Sequence, residues 1–113
     1  MKRAPGRYGV LAGLVGLMMS CDSGQAPESD AAARGKVTYM NICIACHAAD
    51  PSENGVLGPP IANASMELLE AKVIRGEYPK GYVPKRAGST MPNYAYVETQ
   101  LPDLHAFLAE AKR

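Results

Sequence analysis

A small all-α fold, with three main helices joined by long irregular connections, is what this sequence predicts, and three observations predict it. Leu101, Leu104, Phe107, Leu108 and Ala111 recur at the spacing of one buried helical face. Two earlier segments open on residues that cap helices, Asp30 before Ala31 and Ser65 before Met66. Elsewhere Pro and Gly punctuate the chain, and strand signals are few.

The 113 residues bound one domain, and the first part of the chain does not belong to it. Lys2, Arg3 and Arg7 make a basic start, and Val10 to Met19 is apolar or Gly throughout, which is the layout of a secretory signal. That apolar core is too short to span a bilayer comfortably. It ends at Met18, Met19, Ser20 and Cys21, which resembles a bacterial lipoprotein processing site, where the cysteine becomes the lipidated first residue of the mature chain. Cleavage nearby as an ordinary signal peptide is the alternative. The expected organisation is a signal peptide over 1–20, a lipidated Cys21 with a flexible tether over 21–30, and a folded domain over 31–113. Such a tether has a mean reach on the order of 15 to 20 Å. The protein is then exported, on the periplasmic side, and held at a membrane by its lipid.

Within the domain, Asp30 is expected to cap a helix running from Ala31 to about Ile42. Gly35 and Tyr39, four apart, share one face of it. A helical Gly costs about 1 kcal/mol relative to Ala, so close approach by another helix is its expected use. Residues 48–55 read as turns, and Gly58, Pro59, Pro60 stiffen the backbone that follows. Ser65 caps a helix from Met66 to Arg75 that Gly76 ends, with Met66, Leu69 and Val73 on one face. Residues 77–90 carry Pro79, Gly81, Pro84 and Gly88 and read as loop. The last helix is expected from about Thr99 to Lys112, because Pro102 is tolerated only in its first turn. Phe107, the single phenylalanine, is expected to meet the groove at Gly35 and Tyr39.

Cys43, Ile44, Ala45, Cys46, His47 form a C-x-x-C-H motif, which takes up two of the three cysteines and one of the two histidines. Two thiols at this spacing can each add to one vinyl group of a haem, and the adjacent imidazole then lies under the iron as its proximal ligand. A structural zinc would need four tetrahedral ligands, and His105 lies far off in sequence without a partner at the usual spacing. A redox dithiol would need strands alternating with helices. Haem attachment is the reading these residues favour. A carbonyl in the stiff Gly-Pro-Pro segment would be a good fixed acceptor for the second ring nitrogen of His47.

In this order, Gly35 with Tyr39, Cys43 to His47, Gly58 with Pro59, Met91 with Pro92, and Asp103, Leu104 with Phe107 resemble a class I c-type cytochrome, a small single-haem electron carrier, over residues 31 to 112. The resemblance implies a cytochrome c fold around one covalent haem c, with the first and last helices crossing at Gly35, Tyr39 and Phe107. It also implies that the Pro59 carbonyl holds His47 and that Met91 is the second axial ligand of the iron. Of the other methionines of the mature chain, Met40 precedes His47 on the same helix and Met66 joins an apolar stripe. The alternative for Met91 is that it fills a gap and leaves the iron five-coordinate or bound by something else. Ile61, Leu69, Val73, Leu104, Leu108 and Tyr94 are the expected packing partners of the haem.

An iron bound by both His47 and Met91 has no vacant position for a substrate, so the implied function is electron transfer rather than catalysis. Donor and acceptor redox proteins and a membrane are the implied partners, and a monomer is the favoured state. The other readings are the haem subunit of a larger oxidoreductase and a haem sensor with a labile distal ligand. Without Lys2, Arg3 and Arg7 the chain has 11 acidic residues against nine basic ones, so nothing suggests nucleic acid. Lys72, Arg75, Lys80, Lys85 and Arg86 gather in one segment, either as solvated surface or as a patch that steers an acidic redox partner.

Overall fold

The computed structural model describes residues 28–87 and 90–111, so the expected signal peptide and Cys21 lie outside the described residues. Helix α1 spans Asp30–Ile42 and runs into a 3-10 turn at Cys43–Ala45. Helix α2 begins at Met66–Leu69 and continues as a π-helical turn over Glu70–Arg75. A 3-10 stretch at Ala95–Gln100 feeds α3, Leu101–Glu110. No strand occurs among the described residues, and no helix there is long and apolar enough to cross a membrane.

Helix α1 starts one residue earlier than the sequence suggests. Ser29, not Asp30, is the cap, with its Oγ accepting from the Ala32 amide at 3.1 Å. The same hydroxyl donates to Glu110 Oε1 at 2.7 Å, which fastens the start of α1 to the end of α3. Asp30 sits in the first turn, where its charge suits the positive end of the helix.

The crossing of α1 and α3 is made by backbone. A side-chain carbon on Gly35 would overlap the Asp103 carbonyl and the Leu104 amide, so Gly35 meets α3 directly. Phe107 packs one turn further along, on Tyr39, with ring centroids 5.2 Å apart. The expected single groove is therefore two adjacent contacts. Thr38 Oγ1 donates to Gln100 Oε1 at 2.7 Å. Arg34 forks onto both Asp103 oxygens at 2.8 Å and holds that carboxyl below the usual carboxylate range. This contribution is present at neutral pH and lost on acidification, and it is small because Arg34 is exposed.

Ser65 caps α2 as expected, with its Oγ accepting from Leu68 N at 3.1 Å, and Gly76 ends it at φ 74°. The second half is π rather than α, which the sequence does not mark. Its last carbonyls take tertiary donors: Tyr94 N donates to Val73 O at 2.6 Å, and the Asn93 side-chain amide to Ile74 O at 3.3 Å. Helix α3 proper begins at Leu101 rather than near Thr99, with Pro102 in its first turn, and ends at Glu110 because Ala111 is extended. Tyr39, Ala64, Leu69, Val73, Val97, Leu101, Leu104 and Leu108 form the core.

Replacing Gly35 by Ala forces the α1–α3 contact apart, and the expected cost is about 1–3 kcal/mol, the usual range for overpacking. Gly81→Ala is the control: no atom lies near, so only its positive φ of 80° opposes the change. Thermal unfolding of the two haem-loaded variants tests the difference, with Gly35→Ala expected to melt well below Gly81→Ala.

Candidate functional site

One cleft gathers the candidate residues. Cys43, Cys46, His47, Pro59 and Met91 all line it. The remaining walls are mostly apolar: Ile61, Leu68, Leu69 and Val73 come from the loop and α2, and Leu104 and Leu108 from α3. Of the expected packing partners, Tyr94 alone stands apart from the lining and packs against the core instead.

The 3-10 turn brings the motif together. Cys46 N and His47 N both donate to Cys43 O, at 3.2 and 2.9 Å, which folds the two thiols and the imidazole toward one cleft. Both thiols are free. Burial pushes the Cys43 thiol up to about 11, so it is protonated at neutral pH. No group of three His, Cys, Asp or Glu that could hold a metal ion by itself occurs among the described residues.

His47 is buried, and its Nδ1 lies 2.9 Å from the Pro59 carbonyl. A carbonyl only accepts, so Nδ1 carries the proton and Nε2 keeps its lone pair. Gly58 is required beside it, since a Cβ there would strike the imidazole ring. Gly55 is required too: its missing side chain leaves room for the Cys46 carbonyl and the His47 backbone. Leu57 N and Gly58 N both donate to Cys46 O, at 3.1 and 2.8 Å, and Gly55 N donates to Gly58 O at 2.9 Å. The 55–58 turn thus wraps the back of the motif. Tyr39 adds a further tie, its hydroxyl donating to Ala48 O at 2.6 Å.

Sequence reasoning passes over Gly55 and the Tyr39 tie, since turn composition and helix spacing say nothing of what lies opposite. It also leaves out Tyr78, Tyr82 and Thr90, which line the cleft from the loop over 77–90. The basic run is more than solvated surface: Lys72 and Lys85 line the cleft, and Lys72 Nζ lies 4.1 Å over the Tyr78 ring. Met40 is outside the lining and exposed, while Met66 packs at the edge of the core.

This donor set suits a large, flat, apolar group that carries a metal and carboxylates. An imidazole nitrogen with a free lone pair, a thioether sulfur and two thiols face apolar walls. Among the described residues no Asp or Glu lines the cleft, whereas two lysines do. A family model for cytochrome c matches residues 32–112, and the chain belongs to that family. No curated protein and no solved structure matches it. The fold is the all-α cytochrome c fold, and the cofactor of the family is covalently bound haem c with its iron.

Two measurements test this geometry. Burial pushes the Tyr39 phenol up to about 12. The folded state therefore keeps a proton that the unfolded chain releases near pH 10, and stability falls between about pH 10 and 12. Tyr39→Phe is expected to cost about 1 kcal/mol at neutral pH for the lost hydrogen bond and to flatten that alkaline fall, read by denaturant unfolding against pH. Gly58→Ala is expected to push the imidazole off Pro59. The parent protein is expected to show a slowly exchanging Nδ1 proton by NMR, and Gly58→Ala to lose it.

Proposed function

We propose that this protein carries single electrons on one haem c bonded through Cys43 and Cys46, with His47 and Met91 as the axial ligands. The observation that carries this reading is the His47 Nδ1 to Pro59 carbonyl bond at 2.9 Å in a cleft that both thiols and Met91 also line. When bound, haem c supplies a one-electron couple at its iron.

The chain's own residues do the rest. Cys43 and Cys46, both free thiols, would hold the haem by adding across its vinyl groups, sulfur to one carbon and hydrogen to the other, with no outside oxidant needed. Pro59 holds the His47 ring and, by accepting from Nδ1, raises the basicity of Nε2. The Met91 thioether, which lines the same cleft, would be the second protein ligand to the iron, would favour its reduced state and would leave no place for a substrate. The apolar walls keep water away. The function is electron carriage rather than catalysis, between exported or membrane redox proteins. A lipid on Cys21, following the signal sequence, would keep the domain beside the membrane.

Absorption spectra of wild type and Met91→Ala test the axial assignment. Oxidised wild type is expected to show a far-red sulfur-to-iron band, and its reduced form to resist carbon monoxide at neutral pH. Met91→Ala should lose the band entirely, bind CO stoichiometrically and have a lower reduction potential. Prompt CO binding by wild type would overturn the assignment in favour of a ligand-binding module.

A further inference from the structure

The segment that carries Met91 is fastened on both sides. Downstream, Asn93 and Tyr94 are bonded to the Ile74 and Val73 carbonyls at the end of the π-helical turn. Upstream, two consecutive basic side chains reach across to the turn behind His47. Lys85 Nζ donates to the Pro60 carbonyl at 2.8 Å. Arg86 spreads its guanidinium over the Gly55 and Val56 carbonyls at 3.4 to 3.5 Å and the Asn54 side-chain oxygen at 3.2 Å. Pro60 directly follows the residue whose carbonyl accepts from His47, and Gly55 is bonded to Gly58 O. The pair therefore grips the 54–60 turn on both sides of the Gly58–Pro59 step.

The chemistry suits a strap rather than a surface ion pair. Apart from the Asn54 side chain, the acceptors are backbone carbonyls of a turn in which the Gly55, Leu57 and Gly58 amides are engaged with Gly58 and Cys46 carbonyls, so charged donors meet acceptors that are already fixed in space. A guanidinium spreads five donors over a rigid planar fork that spans separate acceptors, whereas an ammonium has three donors on one nitrogen.

We propose that Lys85 and Arg86 are positioning residues that lash the Met91 segment to the turn backing His47, so that the two axial sides of the cleft move as one body. The functional consequence rests on the His47 and Met91 assignment above; the strap itself does not. Released, the 77–87 loop no longer holds Met91 from its upstream side, and the distal position opens to small ligands.

The test compares the haem-loaded wild type with K85Q, R86Q, the double variant and R86K. Amide hydrogen exchange is read at Gly55, Leu57, Gly58 and Tyr82. In the double variant it is expected to run about tenfold faster in both 54–60 and 77–87, the change that ~1.4 kcal/mol of lost contact gives, with α1 and α3 unaffected. Acceleration confined to 77–87 overturns the strap, whatever Met91 binds. The second readout is CO association by the reduced protein, expected to be about tenfold faster in the double variant than in wild type, with R86K between them. Equal rates in wild type and double variant, beside prompt binding by Met91→Ala, overturn the positioning role. Prompt CO binding by wild type overturns the Met91 assignment instead, and hydrogen exchange then decides the strap alone. Should the double variant fail to accumulate haem, K85Q and R86Q carry the same comparison.

Discussion

A neutral imidazole has one ring nitrogen that donates and one that accepts, and a ligand to iron must present the second. The Pro59 carbonyl decides which is which for His47, because it can only accept. Much of the surrounding backbone takes its form from keeping that ring in place. Gly58 lets the ring lie flat against the turn, and Gly55 lets the turn close behind Cys46. The Cys46 carbonyl, which would otherwise be an unpaired group in a crowded place, takes two amides from that turn.

The frame that holds this arrangement is the α1–α3 crossing, and Tyr39 links the two. Its ring packs on Phe107 of α3 while its hydroxyl holds the Ala48 carbonyl, one residue past His47. A shift of α3 against α1 would therefore be felt at the imidazole. The same helix α3 presents Leu104 and Leu108 to the cleft, so the crossing that Gly35 permits also sets how far those walls stand from the motif.

Features written in neighbouring residues were legible in the sequence. The C-x-x-C-H spacing, the apolar period of α3, the Ser65 cap and the Gly76 stop each depend on chemistry within a few positions. What was not legible depends on partners far along the chain. Ser29 and Asp30 are both good caps, and the choice of Ser29 goes with its bond to Glu110, 81 positions away. The π turn has no composition of its own and coincides with donors from Asn93 and Tyr94. Gly55 reads as any turn glycine until the Cys46 carbonyl is placed beside it. Lys85 and Arg86 read as surface because the carbonyls they reach carry no signature in the sequence.

The charges around the cleft bear on its redox behaviour. A carboxylate moved into an apolar site costs free energy unless a cation or donor meets it. Here Lys72 and Lys85 stand in the lining with no acidic residue beside them there, each already satisfied by a neutral partner, the Tyr78 ring and the Pro60 carbonyl. Neutral partners leave both positive charges uncancelled. A cofactor bearing carboxylates would find in these two lysines cations to meet them. The apolar walls, and whatever lysine charge the carboxylates leave uncancelled, disfavour any further positive charge at the centre. For a metal that alternates between two oxidation states, this favours the reduced one, in the same direction as a thioether ligand. With Met91 bound to the iron as proposed, its sulfur would push the potential the same way through the bond as these residues do through the field.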